Sequence, residues 1–315
     1  MVTFLYNLAK AARVRQWLKN LVIFAAIVFT GEFFNASLFQ TTVGAIFVFC
    51  LISSGIYLLN DVVDVKSDGI HPFKKYRPIA SGKISIQTAK TLSIIFILFG
   101  VICSLLFFPR AFFIVTLIFL TLQISYTFIL KHIPLVDVLA IASAFILRVF
   151  AGEAATGFHI SIWLFLTVVS LALFLALGKR RGELTLLSTE DGVLPKTRAT
   201  LLRYSEKMLD VYLSMFSTAT WLLYTFYTFL AKPPLVRQSI NVFLEDNLSI
   251  ITADRKWLML SIPFVIYGVM RYLQLIYEKH EGESPDKILL TDKPLIITII
   301  LWGLITMTVI YGVGK

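Results

Sequence analysis

Three aspartates near residue 60 have a spacing that suggests chemistry. Asp61, Asp64 and Asp68 stand at i, i+3 and i+7 in the run NDVVDVKSD, and Asn60 lies four residues before Asp64. If the preceding apolar helix continues through this run, these side chains project from one face. Carboxylates on one stripe repel one another unless a cation lies among them, and hard oxygen ligands suit Mg²⁺. The pattern therefore predicts a magnesium site formed by Asn60, Asp61, Asp64 and Asp68.

Basic residues follow this acidic stripe on a predicted loop. Gly69 and Pro72 are expected to end the helix. Four bases come next: Lys74, Lys75, Arg77 and Lys83. They could bind an anion facing the metal, or they could be basic residues of an ordinary cytoplasmic loop. For the lysines both interpretations stay open, but membrane topology does not require three acids in helical register where an apolar segment ends.

The elements that must position these residues are membrane helices. The chain has 315 residues, of which 57% are hydrophobic and 15% charged, and its mean hydropathy is +0.81. A soluble globular chain has about 25% charged residues. We therefore predict an all-α polytopic membrane protein, a single domain over 1–315. Nine apolar stretches of spanning length are predicted at about 20–36, 41–59, 88–108, 111–130, 135–152, 161–178, 209–231, 257–277 and 294–312.

The charge distribution predicts the orientation of these spans. With the N-terminus inside, 21 of the 29 lysines and arginines fall in cytoplasmic segments and six in outer ones. This bias favours a multi-pass protein of the inner (plasma) membrane, with its N-terminus and charged motifs in the cytoplasm. The net charge of +10 is therefore attributed to topology, and no nucleic-acid partner is expected. Segment 1–19 is predicted to be an amphipathic helix on the cytoplasmic interface, and 60–87 the catalytic cytoplasmic loop.

Further polar residues lie at the predicted cytoplasmic ends of other spans. Lys19 could extend to the membrane interface or contact a phosphate. Tyr126 and Lys131 lie near a tight turn, and Asp137 is expected to have a polar partner because it is so close to the membrane boundary. The run Lys179, Arg180, Arg181 at the end of the sixth span fits either a topological signal or a phosphate site.

Arg148 lies inside the fifth predicted span. An arginine at that depth costs about 2.5 to 3.5 kcal/mol on insertion scales, so it needs a partner. Asp137 is too far along the same helix, whereas Glu153 is close in sequence. A structural ion pair between Arg148 and Glu153 near the outer face is the favoured prediction, and a role in substrate binding is the alternative.

The run NDVVDVKSD followed by HPFKKYRPIASG resembles the UbiA superfamily of intramembrane prenyltransferases. Its signature, NDxxDxxxD and then RP(L/I)xSG, is matched by Asn60, Asp61, Asp64 and Asp68 and by Arg77, Pro78, Ile79, Ser81 and Gly82. The resemblance covers nearly the whole chain. It implies a bundle of nine spans around a lateral cavity that opens to the lipid.

One departure from that pattern suggests a branch of the superfamily. Members that use a prenyl diphosphate generally carry a second aspartate-rich motif after the sixth span, where this chain has GKRRGE. Together with RVRQWLKN at 13–20, this resembles the decaprenyl-phosphate phosphoribosyltransferases. The resemblance implies Mg²⁺-dependent transfer of 5-phosphoribose from phosphoribosyl diphosphate to a polyprenyl phosphate, for cell-envelope synthesis.

Site residues are carried over on that resemblance. Bases would hold the donor or acceptor phosphates: Lys19, Lys74, Arg77, Lys131, Lys179 and Arg180. His71, Lys75 and Tyr126 are additional candidates near the ribose 5-phosphate. Two rivals remain, a prenyltransferase with an aromatic acceptor and a lipid carrier without catalysis, although a carrier would be expected to have broken helices with polar residues at the midplane. Small residues could pack helices within one chain or in a homo-oligomer, and the sequence leaves this open.

Overall fold

The computed structural model describes residues 2–70, 74–189, 203–231, 256–278, 288 and 291–313, and within these ranges it contains helices and turns but no β-strand. Its α-helices are α1 (Val2–Ala11), α2 (Ala25–Phe29), α3 (Ala36–Val63), α4 (Val65–Ile70), α5 (Ile86–Phe107), α6 (Arg110–Phe128), α7 (Val136–Thr156), α8 (Ile162–Thr189), α9 (Glu206–Leu230), α10 (Ile262–Glu278) and α11 (Lys293–Met307). Short 3₁₀ helices occupy Val14–Phe24, Lys74–Tyr76, Leu130–His132 and Trp257–Ser261, and Thr308–Val313 forms a π-helix. The predicted all-α class is confirmed.

Seven helical segments in the described part of the chain are long and apolar enough to cross a membrane. They are Ala36–Val63, Ile86–Phe107, Arg110–Phe128, Val136–Thr156, Ile162–Thr185, Trp257–Glu278 and Lys293–Gly312. Large apolar side chains on α5 face outward, and Leu98, Leu106 and Phe107 are 55%, 67% and 76% exposed. Such surfaces require lipid around them, so the chain is a polytopic membrane protein.

The predicted count of nine spans is not confirmed. The stretch predicted at 20–36 is divided between the 3₁₀ helix Val14–Phe24 and the five-residue α2. The stretch predicted at 209–231 forms the 25-residue α9, which is rich in serine, threonine and tyrosine and is not among the seven candidate spans. The first segment is not a continuous α-helix. The second is a continuous α-helix, but it is not apolar enough to count as a candidate span.

Two glycines allow close helix packing. A Cβ added to Gly55 on α3 would lie 2.9 Å from the carbonyl oxygen of Ser93 on α5, and the Ser93 hydroxyl donates to the Gly55 carbonyl over 2.7 Å. A Cβ on Gly152 of α7 would lie 2.1 Å from the carbonyl oxygen of Ile23. The 3₁₀ segment Val14–Phe24 therefore lies directly against the backbone of α7, and it also packs along α3.

Helix ends from four parts of the chain meet at one end of the bundle. Contacts there join the end of α3 to the turn between α6 and α7, and the end of α8 to the start of α7. Ordinary capping fixes the helix that leaves this end, since the Ser85 hydroxyl accepts from the Thr88 N–H at 3.0 Å and begins α5. Most of the candidate residues from the sequence lie at this end.

Candidate active site

The acidic stripe keeps helical register across a helix break. α3 ends at Val63, Asp64 adopts φ −89° and ψ 4°, and α4 begins at Val65. The Asp64 N–H still donates to the Asn60 carbonyl at 2.9 Å, and the Asp68 N–H donates to the Asp64 carbonyl at 2.8 Å. The i to i+4 spacing thus survives the break, as the sequence predicted. Pro72, predicted to help end the helix, lies outside the described residues.

Each carboxylate of the stripe is paired with a base. Arg77 Nη1 lies 3.1 Å from Asp61 Oδ1 and 2.7 Å from Asp68 Oδ2. Lys131 Nζ lies 2.7 Å from Asp64 Oδ1. A third base, Arg13, donates to Asp61 Oδ1 at 2.5 Å. Three bases from three different parts of the chain therefore meet the stripe.

Two of the three stripe carboxylates are buried, whereas 24% of the Asp64 side chain is exposed. Asp61 and Asp68 are 2% and 5% exposed. Burial raises the pKa of Asp68, although the neighbouring Arg77 opposes the shift. Burial alone would lower the pKa of Arg13, but the adjacent Asp61 carboxylate raises it above its usual value. The Arg13 guanidinium also lies 4.8 Å from the centre of the Tyr57 ring, and it stays charged beside its carboxylate.

The donor set of the stripe fits Mg²⁺. Asn60 Oδ1 is buried and has no hydrogen-bond partner among the described residues. A buried amide oxygen without a hydrogen-bond partner is a suitable ligand for a hard cation. Within the described ranges no three acidic, histidine or cysteine side chains already form a metal-binding group, and the stripe carboxylates are paired with bases. Asn60, Asp61, Asp64 and Asp68 thus remain the predicted ligands.

Arg180 forms a second charged cluster at the same end. Its side chain is 2% exposed, its Nε lies 2.7 Å from Asp137 Oδ2, and its Nη1 donates to Glu183. Its Nη2 donates to the Tyr126 hydroxyl at 3.1 Å. The polar partner expected for Asp137 is present. Two carboxylates balance the Arg180 charge, so a phosphate would have to displace one of them.

The remaining predicted phosphate ligands have different surroundings. Lys19 lies within 3.4 Å of the Gln16 side chain. Lys74 and Lys179 are half-buried, whereas Lys75 is exposed with its ammonium 5.2 Å from the Tyr76 ring. His71 lies outside the described residues. Arg77 and Lys131 are thus predicted bases that form ion pairs with the stripe, and Lys74 interacts electrostatically with Asp68. The roles of the others stay predictions.

Comparison with known proteins identifies the family. The model of the UbiA prenyltransferase family matches residues 20–180, a range that includes the stripe, Lys131 and Arg180. This chain belongs to the UbiA prenyltransferase family. The family resemblance expected from the sequence is therefore confirmed.

Two similar proteins span nearly the whole chain. One from Corynebacterium glutamicum, named decaprenyl-phosphate phosphoribosyltransferase, is 31% identical over 97% of this chain and 87% of its own length. Another of the same name, from Mycolicibacterium smegmatis, is 33% identical over 94% of this chain and 90% of its own length. The match to both proteins therefore extends well beyond the segment covered by the family model.

Solved structures support the UbiA fold. A UbiA homolog from Archaeoglobus fulgidus bound to GPP and Mg²⁺ has a TM-score of 0.68 and 21% identity, and the match covers 96% of this chain and 99% of that chain. A structure of a digeranylgeranylglyceryl phosphate synthase has a TM-score of 0.60 and 17% identity, with 99% and 100% coverage. At these identities the likeness concerns the fold.

The predicted ion pair between Arg148 and Glu153 is wrong. In this UbiA protein Arg148 Nε donates to Asn20 Oδ1 at 2.8 Å and Nη1 donates to the Ala144 carbonyl at 2.5 Å. Glu153 instead accepts from the Ile160 N–H at 2.9 Å. Residues five apart on a helix do not share a face, and helical side chains point toward the N-terminus, which carries Arg148 away from Glu153.

Sequence reasoning did not assign the contacts of the segment that Arg148 binds. Two side chains of the 3₁₀ segment, and that of Arg13 directly before it, bond to α3. Arg13 meets Asp61, Trp17 Nε1 donates to Ser54 Oγ at 3.0 Å, and Asn20 Nδ2 donates to Cys50 Sγ at 3.2 Å. The α3 partners occur at intervals of four and seven residues, so they share one helical face. That spacing was the available signal.

Proposed function

We propose that this UbiA protein transfers 5-phosphoribose from phosphoribosyl diphosphate to a polyprenyl phosphate and releases diphosphate. The observation that carries the proposal is the pairing of three stripe carboxylates with Arg13, Arg77 and Lys131 at one end of the bundle. Acids that can hold a cation and bases that can hold phosphates suit two phosphorylated substrates. The names of the two long relatives, both decaprenyl-phosphate phosphoribosyltransferases, support this substrate pair.

The proposed metal site consists of Asn60, Asp61, Asp64 and Asp68. Bound there, Mg²⁺ would neutralise charge on the departing diphosphate. The structures of the A. fulgidus homolog with Mg²⁺ support the use of a divalent ion. Arg13, Arg77 and Lys131 stand beside these carboxylates and bind phosphate oxygens once the carboxylates change partner. The chain's own contribution is charge placement and orientation.

The bond changes follow from the substrates. The bond between ribose C1 and the diphosphate oxygen breaks, and its electron pair leaves with diphosphate. An oxygen of the lipid phosphate forms the new bond to C1. This oxygen is already anionic at neutral pH, so the step needs no strong general base. That agrees with a site in which the described charged residues are carboxylates paired with permanent cations.

The membrane places the two substrates on opposite sides of the site. The polyprenyl phosphate lies in lipid, whereas phosphoribosyl diphosphate is water-soluble and comes from the cytoplasm. We therefore assign the stripe to the cytoplasmic face of the inner membrane, in keeping with the 21 to 6 distribution of basic residues. The lateral cavity for the lipid and a homo-oligomeric state remain predictions.

A second candidate is prenyl transfer from a prenyl diphosphate to an aromatic acceptor. The structural likeness to a homolog bound to GPP favours it. The sequence in the last part of α8 argues against it, because Lys179, Arg180 and Arg181 occupy the place of the second aspartate motif. In addition, the described acid nearest to that place, Glu183, is bound to Arg180.

Transfer of label into lipid tests the proposal. Purified protein is incubated with radiolabelled phosphoribosyl diphosphate, polyprenyl phosphate and Mg²⁺, and lipid is extracted with and without chelator. We expect label in the lipid phase that disappears with the chelator. A parallel reaction supplies prenyl diphosphate and an aromatic acid. Turnover in that reaction alone would reject phosphoribosyl transfer and support the second candidate.

A further inference from the structure

The turn between α6 and α7 presents a base to the acidic stripe. Its 3₁₀ helix Leu130–His132 carries Lys131, whose ammonium lies 2.7 Å from Asp64. Two backbone bonds hold the turn internally, from the His132 N–H to the Ile129 carbonyl at 3.0 Å and from the Ile133 N–H to the Leu130 carbonyl at 3.1 Å. They do not fix how the turn is oriented toward α3, so the position of Lys131 relative to Asp64 also depends on contacts at the two ends of the turn.

Leu135, at the end of the turn, has an unusual backbone conformation. Its φ is +65° and its ψ is −42°, a region that residues other than glycine rarely adopt. Such a conformation persists only where the surroundings hold it. The Leu135 N–H donates to the hydroxyl of Tyr204 at 2.6 Å, and α7 begins at the next residue.

Tyr204 also connects to the other end of the turn. Its hydroxyl donates to Asp137 Oδ1 at 2.5 Å, and the second Asp137 oxygen binds Arg180. Arg180 in turn donates to Tyr126, two residues before the end of α6. One chain of buried and partly buried contacts thus joins the end of α6, the start of α7 and Tyr204. Burial and the hydrogen bond to Asp137 raise the pKa of Tyr204, so the hydroxyl keeps its proton at neutral pH.

We propose that Tyr204 is a positioning residue that holds the turn between α6 and α7 so that Lys131 faces Asp64. This proposal rests on the proposed function for the role of Lys131, but the contacts of Tyr204 do not depend on the substrate. Tyr204 lies outside residues 20–180, the range matched by the family model. It contacts the turn and Asp137, and it acts on the reaction through Lys131.

The first test compares Tyr204→Phe with Tyr212→Phe. Tyr212 lies on α9, is half-buried, and makes no hydrogen bond within the described ranges. Tyr212→Phe therefore removes the same hydroxyl group as Tyr204→Phe without breaking a hydrogen bond. Hydrogen exchange is followed for the peptide 129–137 in the full chain. We expect faster exchange at Leu135 in Tyr204→Phe and wild-type exchange in Tyr212→Phe. Unchanged exchange in Tyr204→Phe would overturn the proposal.

The second test is a double-variant cycle on transfer. Tyr204→Phe should lower kcat/KM about 3- to 10-fold, as expected for a lost hydrogen bond, mainly by raising KM for the donor. In the Lys131→Gln background the same change should have little further effect. An equal loss in both backgrounds would indicate a purely structural role and overturn the proposal. If Lys131→Gln is inactive, the exchange result decides.

The two proposals fail in distinguishable ways. A wild-type protein that transfers no phosphoribose would reject the proposed function. The exchange comparison between Tyr204→Phe and Tyr212→Phe would still test whether Tyr204 holds the turn between α6 and α7.

Discussion

Replacing Gly152 by alanine tests whether the 3₁₀ segment must lie against α7. The added Cβ would lie 2.1 Å from the Ile23 carbonyl oxygen and 3.1 Å from its carbonyl carbon. Carbon and oxygen atoms in close protein contacts are about 3.3 Å apart, so the segment has to move by roughly 1 Å. The obstacle is backbone rather than a flexible side chain, and no rotamer change can relieve it.

The expected magnitude follows from two opposing effects. Overpacking in a close-packed interior costs about 1 to 3 kcal/mol, and a backbone clash belongs at the upper end of that range. Alanine in a helix interior gains up to about 1 kcal/mol over glycine. The net loss is therefore about 2 kcal/mol for Gly152→Ala. Gly303→Ala on α11 is the matched control, because its Cβ has no neighbour within 4 Å and the helix gain stands alone.

The same shift should reduce activity. The displaced segment carries Asn20 and Trp17, and Arg13 directly precedes it, so its movement pulls Arg13 away from Asp61. A misplacement of about 1 Å can cost as much as about 10²-fold in rate. Thermal unfolding in detergent and phosphoribosyl transfer are measured for Gly152→Ala and Gly303→Ala. If Gly152→Ala is as stable and active as Gly303→Ala, the close approach is not required and the reasoning fails.

Three further predictions concern the charged clusters. Asp64→Asn should lower transfer by about 10²-fold or more with little change in unfolding temperature, and wild-type turnover would reject its metal role. Arg77→Gln should strengthen Mg²⁺ binding measured by calorimetry without substrate and weaken diphosphate binding, since Asp68 loses its base and Asp61 keeps only Arg13; weaker Mg²⁺ binding would contradict this. Arg180→Leu should lower the free energy of unfolding by about 3 to 5 kcal/mol, as measured by thermal unfolding, because Asp137 and Glu183 stay buried without their base. Adding Asp137→Asn and Glu183→Gln should restore part of the lost stability.

The register of the acidic stripe was predictable from sequence because it depends on local geometry. The spacing of Asp61, Asp64 and Asp68 fixes a helical face wherever the backbone stays helical, and the break at Asp64 is too slight to disturb it. The contact between Lys131 and Asp64 was less accessible. Both residues were candidates, but their pairing over 67 positions depends on which helix ends meet.

The N-terminal segment shows where sequence reasoning was insufficient. The apolar stretch 20–36 predicts a spanning α-helix, yet its first residues belong to the 3₁₀ helix Val14–Phe24 and α2 is only the five residues Ala25–Phe29. The close approach of Gly152 to Ile23 and the bonds of Trp17 and Asn20 to α3 fix this shape, and these are tertiary contacts. Arg148 belongs to the same case, since its acceptor Asn20 lies 128 positions away.

The pairing of acids with bases explains how one site can be stable both empty and loaded. Without a base, the nearby carboxylates Asp61 and Asp68 would repel each other in a dry environment. Arg13 and Arg77 remove that repulsion in the resting protein. In the proposed reaction, a cation bound by the carboxylates would release the guanidinium groups to face the phosphate oxygens of the substrate. Each charge would then exchange one partner for another, so we propose that the bases that act as the stripe's counterions in the resting protein become the phosphate ligands in the loaded one.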